Sequence, residues 1–209
     1  HGGSFHSDTM HYAAMAADLK HFIAQQGIVA PTLIGHSMGG KVAMQFAQTY
    51  PHALDRLIVI DIAPRAYNMA SLTHILQTLQ KISLTGVRRR AEVEQRLKAH
   101  IASQIMRTYL MKNLARNEQD ELVWLSNIAV LADSIHHIEK EIALQVPFDK
   151  PTLFIQAEQS DYIQAQDLPR IQKLFPNYQL QCIKDSHHWV LHYQPVQLGQ
   201  TIGHFLARS

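Results

Sequence analysis

The sequence predicts an α/β protein in which helices flank a mostly parallel sheet and a helical cap is inserted between two of its strands. Short apolar runs bounded by glycine or proline alternate with helical patterns at both ends of the chain, which is typical of parallel strands joined by helices. Between residues 71 and 144 there is no proline and only Gly86, and the apolar residues recur at helical spacing. We therefore predict a core of residues 1–64 and 148–209 and a cap of residues 65–147.

The predicted elements follow from helix caps, apolar periodicity and breakers. In chain order they are a helix from Asp8 or Thr9 to Gly27, a strand at 31–34, a helix at 40–50, a strand at 57–61, four or five cap helices with no strand, a strand at 151–155, a helix at 167–175, a strand at 178–183 and a helix at 195–207.

The composition is that of an ordinary globular protein, with 46% hydrophobic and 17% charged residues in 209. A net charge of +2 gives no electrostatic case for nucleic acid or a membrane surface, and no apolar stretch approaches the ~20 residues of a span. The run Arg88-Arg89-Arg90 is expected to be a solvated helix face, with an anion site as the alternative.

The single cysteine, Cys182, lies in an apolar run and is expected to be a buried strand residue. One cysteine cannot form an internal disulfide, which favours a reducing, cytoplasmic location. The chain starts at His1 rather than Met, so a targeting segment, if the protein had one, would already be absent.

The strongest functional motif is Gly35-His36-Ser37-Met38-Gly39, a G-x-S-x-G between a predicted strand and a predicted helix. This context is typical of a nucleophile elbow, a sharp turn that exposes a serine hydroxyl on the α/β-hydrolase fold. The N-terminus of the following helix would offer the Met38 N–H to an oxyanion. The competing hypothesis, a phosphate-binding G-x-x-x-x-G-K loop at 35–41, is weakened by Val42, where magnesium binding needs Ser or Thr.

Serine needs a general base, and on this fold the base follows the last strand. His187 and His188 both lie just after the strand at 178–183 and both remain candidates. His36 is expected to point away from the chemistry, and His136 and His137 are expected on a helix surface.

The acid that orients the base has two candidates. The usual G-x-x-D position after the strand at 151–155 falls on Ser160, which cannot serve, and Asp161 comes one residue late. Asp61 follows the strand at 57–61, at the sheet edge where open α/β sheets gather ligand-binding groups. We favour Asp61 over Asp161.

The motifs together resemble the YbfF-type esterases of the α/β-hydrolase superfamily, over nearly the whole chain. The matching stretches are His1-Gly2-x-Ser4-x-His6, Gly35 to Lys41, Ile60 to Pro64, and His188-Trp189-Val190. The resemblance implies Asp61 as the acid, 24 residues after Ser37 (61 − 37), and His188 as the base. Asp185-Ser186-His187 departs from the small residues that relatives tend to have there.

The resemblance also implies that His1-Gly2-Gly3 is not an H-G-G-G oxyanion loop but the loop after the fourth strand. The earlier strands and a second oxyanion donor would then precede this sequence. We therefore expect these 209 residues alone to be poorly stable or inactive.

The expected reaction is hydrolysis of a small carboxylic ester or thioester through an acyl-enzyme on Ser37, with no metal or organic cofactor. A short or medium acyl chain fits an apolar cap, and the resemblance makes acyl-CoA a candidate, with Arg88–Arg90 as its anchor. The alternatives are a C–C bond hydrolase or lyase on the same fold and a ligand sensor with a vestigial triad. The oligomeric state cannot be predicted from the sequence.

Overall fold

A computed structural model describes residues 6–143 and 146–207. The chain divides into two compact units, one of residues 11–67 and 140 onward, the other of residues 68–139 with the stretch up to Met10. The predicted division, a core of 1–64 and 148–209 around a cap of 65–147, stays a prediction.

The described part of the chain forms ten α-helices, six strands and two short 3₁₀ turns, at Pro51–Ala53 and Ala165–Asp167. In chain order the helices and strands are α1 (Tyr12–Gln25), β1 (Thr32–His36), α2 (Met38–Thr49), β2 (Arg56–Ile60), α3 (Ala70–Lys81), α4 (Arg90–Lys98), α5 (Gln104–Met111), β3 (Leu114–Arg116), β4 (Leu122–Trp124), α6 (Ile128–Asp133), α7 (Ile135–Ile138), β5 (Thr152–Ala157), α8 (Leu168–Leu174), β6 (Tyr178–Ile183), α9 (Val190–Tyr193) and α10 (Pro195–Ala207).

The larger unit contains a parallel sheet with the strand order β1-β2-β5-β6, which confirms the predicted α/β class with a mostly parallel sheet. The central strands β2 and β5 are rich in β-branched and large apolar residues and are almost fully buried, as both faces of a parallel sheet must be covered. Because all four strands run the same way, their carboxyl ends lie along one edge, and the loops after them meet there.

The two outer strands are more exposed than the central pair. Ile34 on β1 is 51% exposed, and no strand among the described residues pairs with the outer side of β1. Cys182 lies on β6 as predicted, but it is exposed and not buried. The burial prediction was wrong because β6 is an edge strand, so an apolar run there is covered less completely than in the centre.

Two helix starts differ from the prediction. The side chain of His11, rather than Asp8 or Thr9, caps α1 by accepting a hydrogen bond from the Ala14 N–H at 3.1 Å. Helix α2 begins at Met38, directly after Ser37, and not at Gly40. The helix therefore starts immediately behind the predicted nucleophile.

The smaller unit contains five helices, α3 to α7, and the antiparallel pair β3–β4. The prediction of an all-helical segment missed this pair. The strands have three residues each, and their turn contains no glycine or proline. The one sequence feature that indicates the turn is Asn117. Its side-chain oxygen accepts hydrogen bonds from the N–H groups of Gln119 and Glu121 and closes an Asx-type turn.

Among the helices described, none combines the length and the apolar character that a membrane span requires.

Candidate active site

The turn between β1 and α2 has the geometry of a strained elbow. Ser37 has φ 54° and ψ −123°, a region that side-chain-bearing residues rarely occupy. The strand and helix approach so closely that a Cβ on Gly35 would lie 2.3 Å from the Gly39 carbonyl oxygen. A Cβ on Gly40 would lie 2.6 Å from the Ile62 side chain. Glycine at these two positions therefore permits the turn that presents Ser37.

A continuous hydrogen-bond chain joins three of the predicted residues. The Ser37 hydroxyl donates to Nε2 of His188 at 2.9 Å, and the Nδ1–H of His188 donates to Oδ2 of Asp61 at 2.8 Å. These side chains come from the loops after β1, β2 and β6, so the sheet edge brings them together. This order leaves Nε2 as the free acceptor facing the serine, as a general base requires.

Asp61 is fully buried and has donors on both carboxylate oxygens. Oδ1 accepts from the Ala157 N–H at 3.0 Å, and Oδ2 accepts from the Ser160 hydroxyl at 2.5 Å as well as from His188. Its φ of 50° lies in the left-handed region, which aspartate tolerates better than most residues. The hydrogen-bonding capacity of this buried side chain is therefore satisfied by the surrounding protein.

The alternative candidates for the base and the acid, His187 and Asp161, make other contacts. The exposed His187 donates from Nδ1 to the Gln159 carbonyl at 3.3 Å, away from the serine. Asp161 is exposed, and its carbonyl oxygen accepts from Arg65 at 3.0 Å. Ser160 cannot serve as the acid, but its hydroxyl donates to Asp61, a contact that the local sequence pattern does not predict.

Two aromatic rings surround the imidazole of His188. The ring of Tyr162 stacks on it with centroids 3.9 Å apart and an interplanar angle of 20°. The His36 ring lies 4.8 Å away, and its Nε2–H donates to the His188 carbonyl at 2.8 Å. The expectation that His36 points away was therefore wrong in one respect, since His36 holds the backbone of the loop that carries His188. Burial lowers the pKa of His36, which favours the neutral ring.

Lys41 is buried four residues after Ser37, with 1% of its surface exposed. Its ammonium group donates to the Lys140 carbonyl at 2.6 Å and lies over the rings of Tyr12 and Tyr67, at 5.4 and 4.9 Å. Burial, followed by the nearby Arg65, lowers the pKa of Lys41 to about 8. In a phosphate-binding loop this lysine would reach the phosphates, so its burial disfavours the nucleotide hypothesis.

Met38 is the first residue of α2, so its N–H has no carbonyl one turn earlier in the helix to bond. It lies beside Ser37 at the positive end of the helix dipole, where an oxyanion would be stabilised. The second donor, expected in a preceding segment, stays a prediction.

The remaining predicted residues belong to the smaller unit. Arg90 starts α4 and donates to the carbonyls of Met111 and Leu114 at 2.6 and 3.0 Å, so it stabilises the backbone. Arg88 and Arg89 are exposed. His136 and His137 lie on α7 with ring centroids 3.9 Å apart. Within the described residues, no cluster of three or more His, Cys, Asp or Glu side chains could hold a metal.

Comparison with known proteins identifies the family. Residues 1–195 match the family described as the alpha/beta hydrolase fold. The chain belongs to the α/β-hydrolase family. It is 31% identical to "Esterase YbfF" of Escherichia coli over 209 residues, 99% of this chain and 79% of that protein. This confirms the resemblance to YbfF-type esterases.

Two further similar proteins have the names of a lipase and an esterase. The chain is 32% identical to the "sn-1-specific diacylglycerol lipase ABHD11" of Danio rerio, across 99% of this chain and 66% of that protein. A solved "Marine microorganism esterase" has a TM-score of 0.94 and 36% identity, covering 98% of this chain and 81% of that one. The chain spans 61–66% of the first two curated relatives.

Part of the first stretch that resembles the YbfF-type esterases lies outside the described residues. His1, Gly2, Gly3 and Ser4 lie outside the described residues. His6 is exposed, and its Nε2–H donates to the Leu125 carbonyl at 3.0 Å. In the departing stretch, Ser186 is buried and donates to the Ile183 carbonyl at 2.7 Å. This bond ties the loop that carries His188 to the end of β6.

Proposed function

We propose that the protein is a serine hydrolase that cleaves carboxylic esters or thioesters through an acyl-enzyme. The observation that carries the proposal is the hydrogen-bond chain from Ser37 through His188 to Asp61, with links of 2.9 and 2.8 Å. Nucleophile, base and orienting acid in this order are what acyl transfer from an ester requires.

In the first half of the reaction the Ser37 oxygen attacks the ester carbonyl carbon while Nε2 of His188 takes the serine proton. The carbonyl oxygen becomes an oxyanion, and the Met38 N–H donates to it. When the intermediate collapses, the C–O or C–S bond breaks and His188 returns the proton to the departing alcohol or thiol. The acyl group stays on Ser37.

In the second half, water replaces the leaving group. His188 removes a proton from the water, whose oxygen attacks the acyl carbon, and the same proton returns to Ser37 as the acid leaves. Throughout, the buried Asp61 carboxylate keeps the imidazole in the tautomer with hydrogen on Nδ1 and stabilises its charged form.

The proposed substrate is a small carboxylic ester or thioester. The relatives carry the names of an esterase and a diacylglycerol lipase, which supports an ester as the bond cleaved. We favour a short or medium acyl chain, with acyl-CoA as the thioester candidate. Since Arg90 is bound to backbone carbonyls, an anchor for CoA phosphates would rest on Arg88 and Arg89. A cytoplasmic location belongs to the same proposal.

The test of the chemistry is intact-mass labelling of the full-length protein by a fluorophosphonate, beside Ser37→Ala. We expect one adduct on the native protein and none on the variant. A folded native protein that takes no adduct would overturn the proposal and favour a ligand sensor with a vestigial triad.

The test of the substrate is a panel of p-nitrophenyl esters with acyl chains from two to sixteen carbons, each paired with the matching acyl-CoA. A C–C bond hydrolase or lyase would also take the label on Ser37, but we expect it to turn over both series far more slowly than an esterase. Replacing Arg88 and Arg89 together by alanine should raise KM for the CoA series alone if these residues contact its phosphates.

A further inference from the structure

The ring of Tyr162 lies almost parallel to the imidazole of His188, with centroids 3.9 Å apart and an angle of 20°. Tyr162 follows β5, whereas His188 follows β6, so the contact joins two loops of the sheet edge. Aromatic pairs in proteins more often adopt offset or edge-to-face arrangements at larger centroid distances. In this stack the face of the tyrosine ring lies directly against the face of the imidazole.

Tyr162 is held in position by contacts with Tyr67. Its carbonyl accepts a hydrogen bond from the Tyr67 hydroxyl, and that hydroxyl accepts in turn from the Ala63 N–H at 2.8 Å. The rings of Tyr67 and Tyr162 lie 5.3 Å apart at 34°. The backbone of Tyr162 is thus tied to the segment after β2, which also carries Asp61.

The stack acts perpendicular to the imidazole plane, whereas Asp61 and Ser37 bond to the nitrogens at the edge of the ring. The face of an aromatic ring carries negative charge and attracts a cation, so it stabilises imidazolium more than neutral imidazole. Burial raises the pKa of Tyr162, so the ring is a neutral phenol near neutral pH. Asp61 acts in the plane at Nδ1, and His36, the other titratable ring beside His188, is kept neutral by burial.

We propose that Tyr162 is a positioning residue that fixes the plane of His188 and stabilises the imidazolium formed when Ser37 gives up its proton. This inference rests on the proposed function. Without the ring, the imidazole could rotate about the bonds of its side chain and lose its simultaneous alignment with Asp61 and Ser37. Its charged form would also lose the face of the ring.

The decisive measurement is the titration of His188 by NMR on histidine-labelled full-length protein, assigned with His188→Gln. Tyr162→Leu should lower the pKa of His188 by roughly 0.4 to 1.5, which is the loss of a cation–π contact expressed on the pH scale. If the ring only excluded water, the shorter side chain would admit water and the pKa would rise or stay unchanged. Either of those results would overturn the proposal.

One control variant and one series of fluorinated side chains support this measurement. Tyr193→Leu removes a ring from the neighbouring His187, 5.3 Å away, and should leave the His188 titration unchanged. If Tyr162→Leu unfolds, phenylalanines with one to three ring fluorines at position 162 keep the shape but weaken the ring face. The pKa of His188 should then fall stepwise with fluorine number, and a constant value would refute the role of the ring.

The titration needs no turnover, so it separates this inference from the proposed function. Absence of the fluorophosphonate adduct would overturn the hydrolase assignment, whereas an unchanged pKa in an active Tyr162→Leu protein would overturn only the role of Tyr162. In an active protein we expect kcat of Tyr162→Leu to fall roughly 2- to 30-fold, with a smaller change in KM.

Discussion

Replacing Asp61 by asparagine tests the assignment of the acid most directly. Asparagine has nearly the same shape and also tolerates the left-handed φ of 50°, so the backbone should not change. The carboxylate oxygens accept from Ala157, Ser160 and His188. An amide has only one oxygen, so His188 either loses its partner or adopts the tautomer that carries its proton on Nε2 and cannot accept from the serine.

The magnitude follows from the charge that is lost. The carboxylate oxygen lies 2.8 Å from Nδ1, and the charges of both groups are spread over several atoms, so about 4 Å is a reasonable separation. Opposite charges at that distance attract by about 4 kcal/mol at an effective dielectric constant of 20. Since each 1.36 kcal/mol is tenfold in rate, Asp61→Asn should lower kcat by about 10³-fold.

The assay is steady-state hydrolysis of the best ester from the panel, with circular dichroism and denaturant unfolding as checks that the variant folds. The matched control is Asp161→Asn, because Asp161 is exposed and its side chain makes no hydrogen bond to His188. It should retain kcat within threefold. A folded Asp61→Asn that keeps more than a tenth of kcat, or an equal loss in Asp161→Asn, would refute the assignment.

Three other perturbations have defined outcomes. Ser160→Ala removes one donor to Asp61, so the free energy of unfolding should fall by about 1.5–3 kcal/mol. We expect kcat to fall by less than in Asp61→Asn, and a variant at least as stable as the native protein would contradict the contact. Gly35→Ala should cost at least 1–3 kcal/mol by denaturant unfolding because its Cβ meets backbone at 2.3 Å, whereas Gly39→Ala, with open space around its Cβ, should not destabilise. Lys41 has a pKa of about 8 in the folded protein and of 10.5 in the unfolded chain. Burying its charged form therefore costs about 3 kcal/mol of stability, which applies below pH 8 and diminishes as the pH rises above 8. Urea unfolding between pH 7 and 9 stays below the pKa of 10.0 at which Tyr12 and Tyr67 titrate in the unfolded chain. Stability should rise with pH in the native protein and not in Lys41→Met, and a flat native profile would contradict the burial of a charged lysine.

The core could be predicted because its signals are local. The four strands of the sheet were all predicted within two residues of their observed ends, since each is a short apolar run closed by glycine, proline or a polar residue. The pair β3–β4 was missed for the opposite reason. Strands of three residues give no periodicity, and their turn depends on the side-chain hydrogen bonds of Asn117, which a propensity pattern does not show.

Candidate residues could be predicted from the sequence when their positions follow from the order of strands along the chain. Residues that take part only through contacts between loops could not be predicted in this way. Ser37 and His188 could be proposed because a nucleophile elbow and a histidine after the last strand have fixed positions along the chain. Contacts between different loops involve Ser160, His36 and Tyr162. In the case of His36 and His188 the two residues are 152 positions apart along the chain. No local pattern carries that information.

The two possible locations of the acid are explained by the strand order. Because β2 and β5 are neighbours, the loops after them lie side by side at the carboxyl edge of the sheet, so both loops were reasonable places to expect the acid. Here the loop after β5 has a serine at that point, whose short side chain leaves room for Asp61 and donates to it at 2.5 Å. A second carboxylate there would repel the first and raise the pKa of one of them. The serine at position 160 is therefore compatible with the proposed role of Asp61 as the acid.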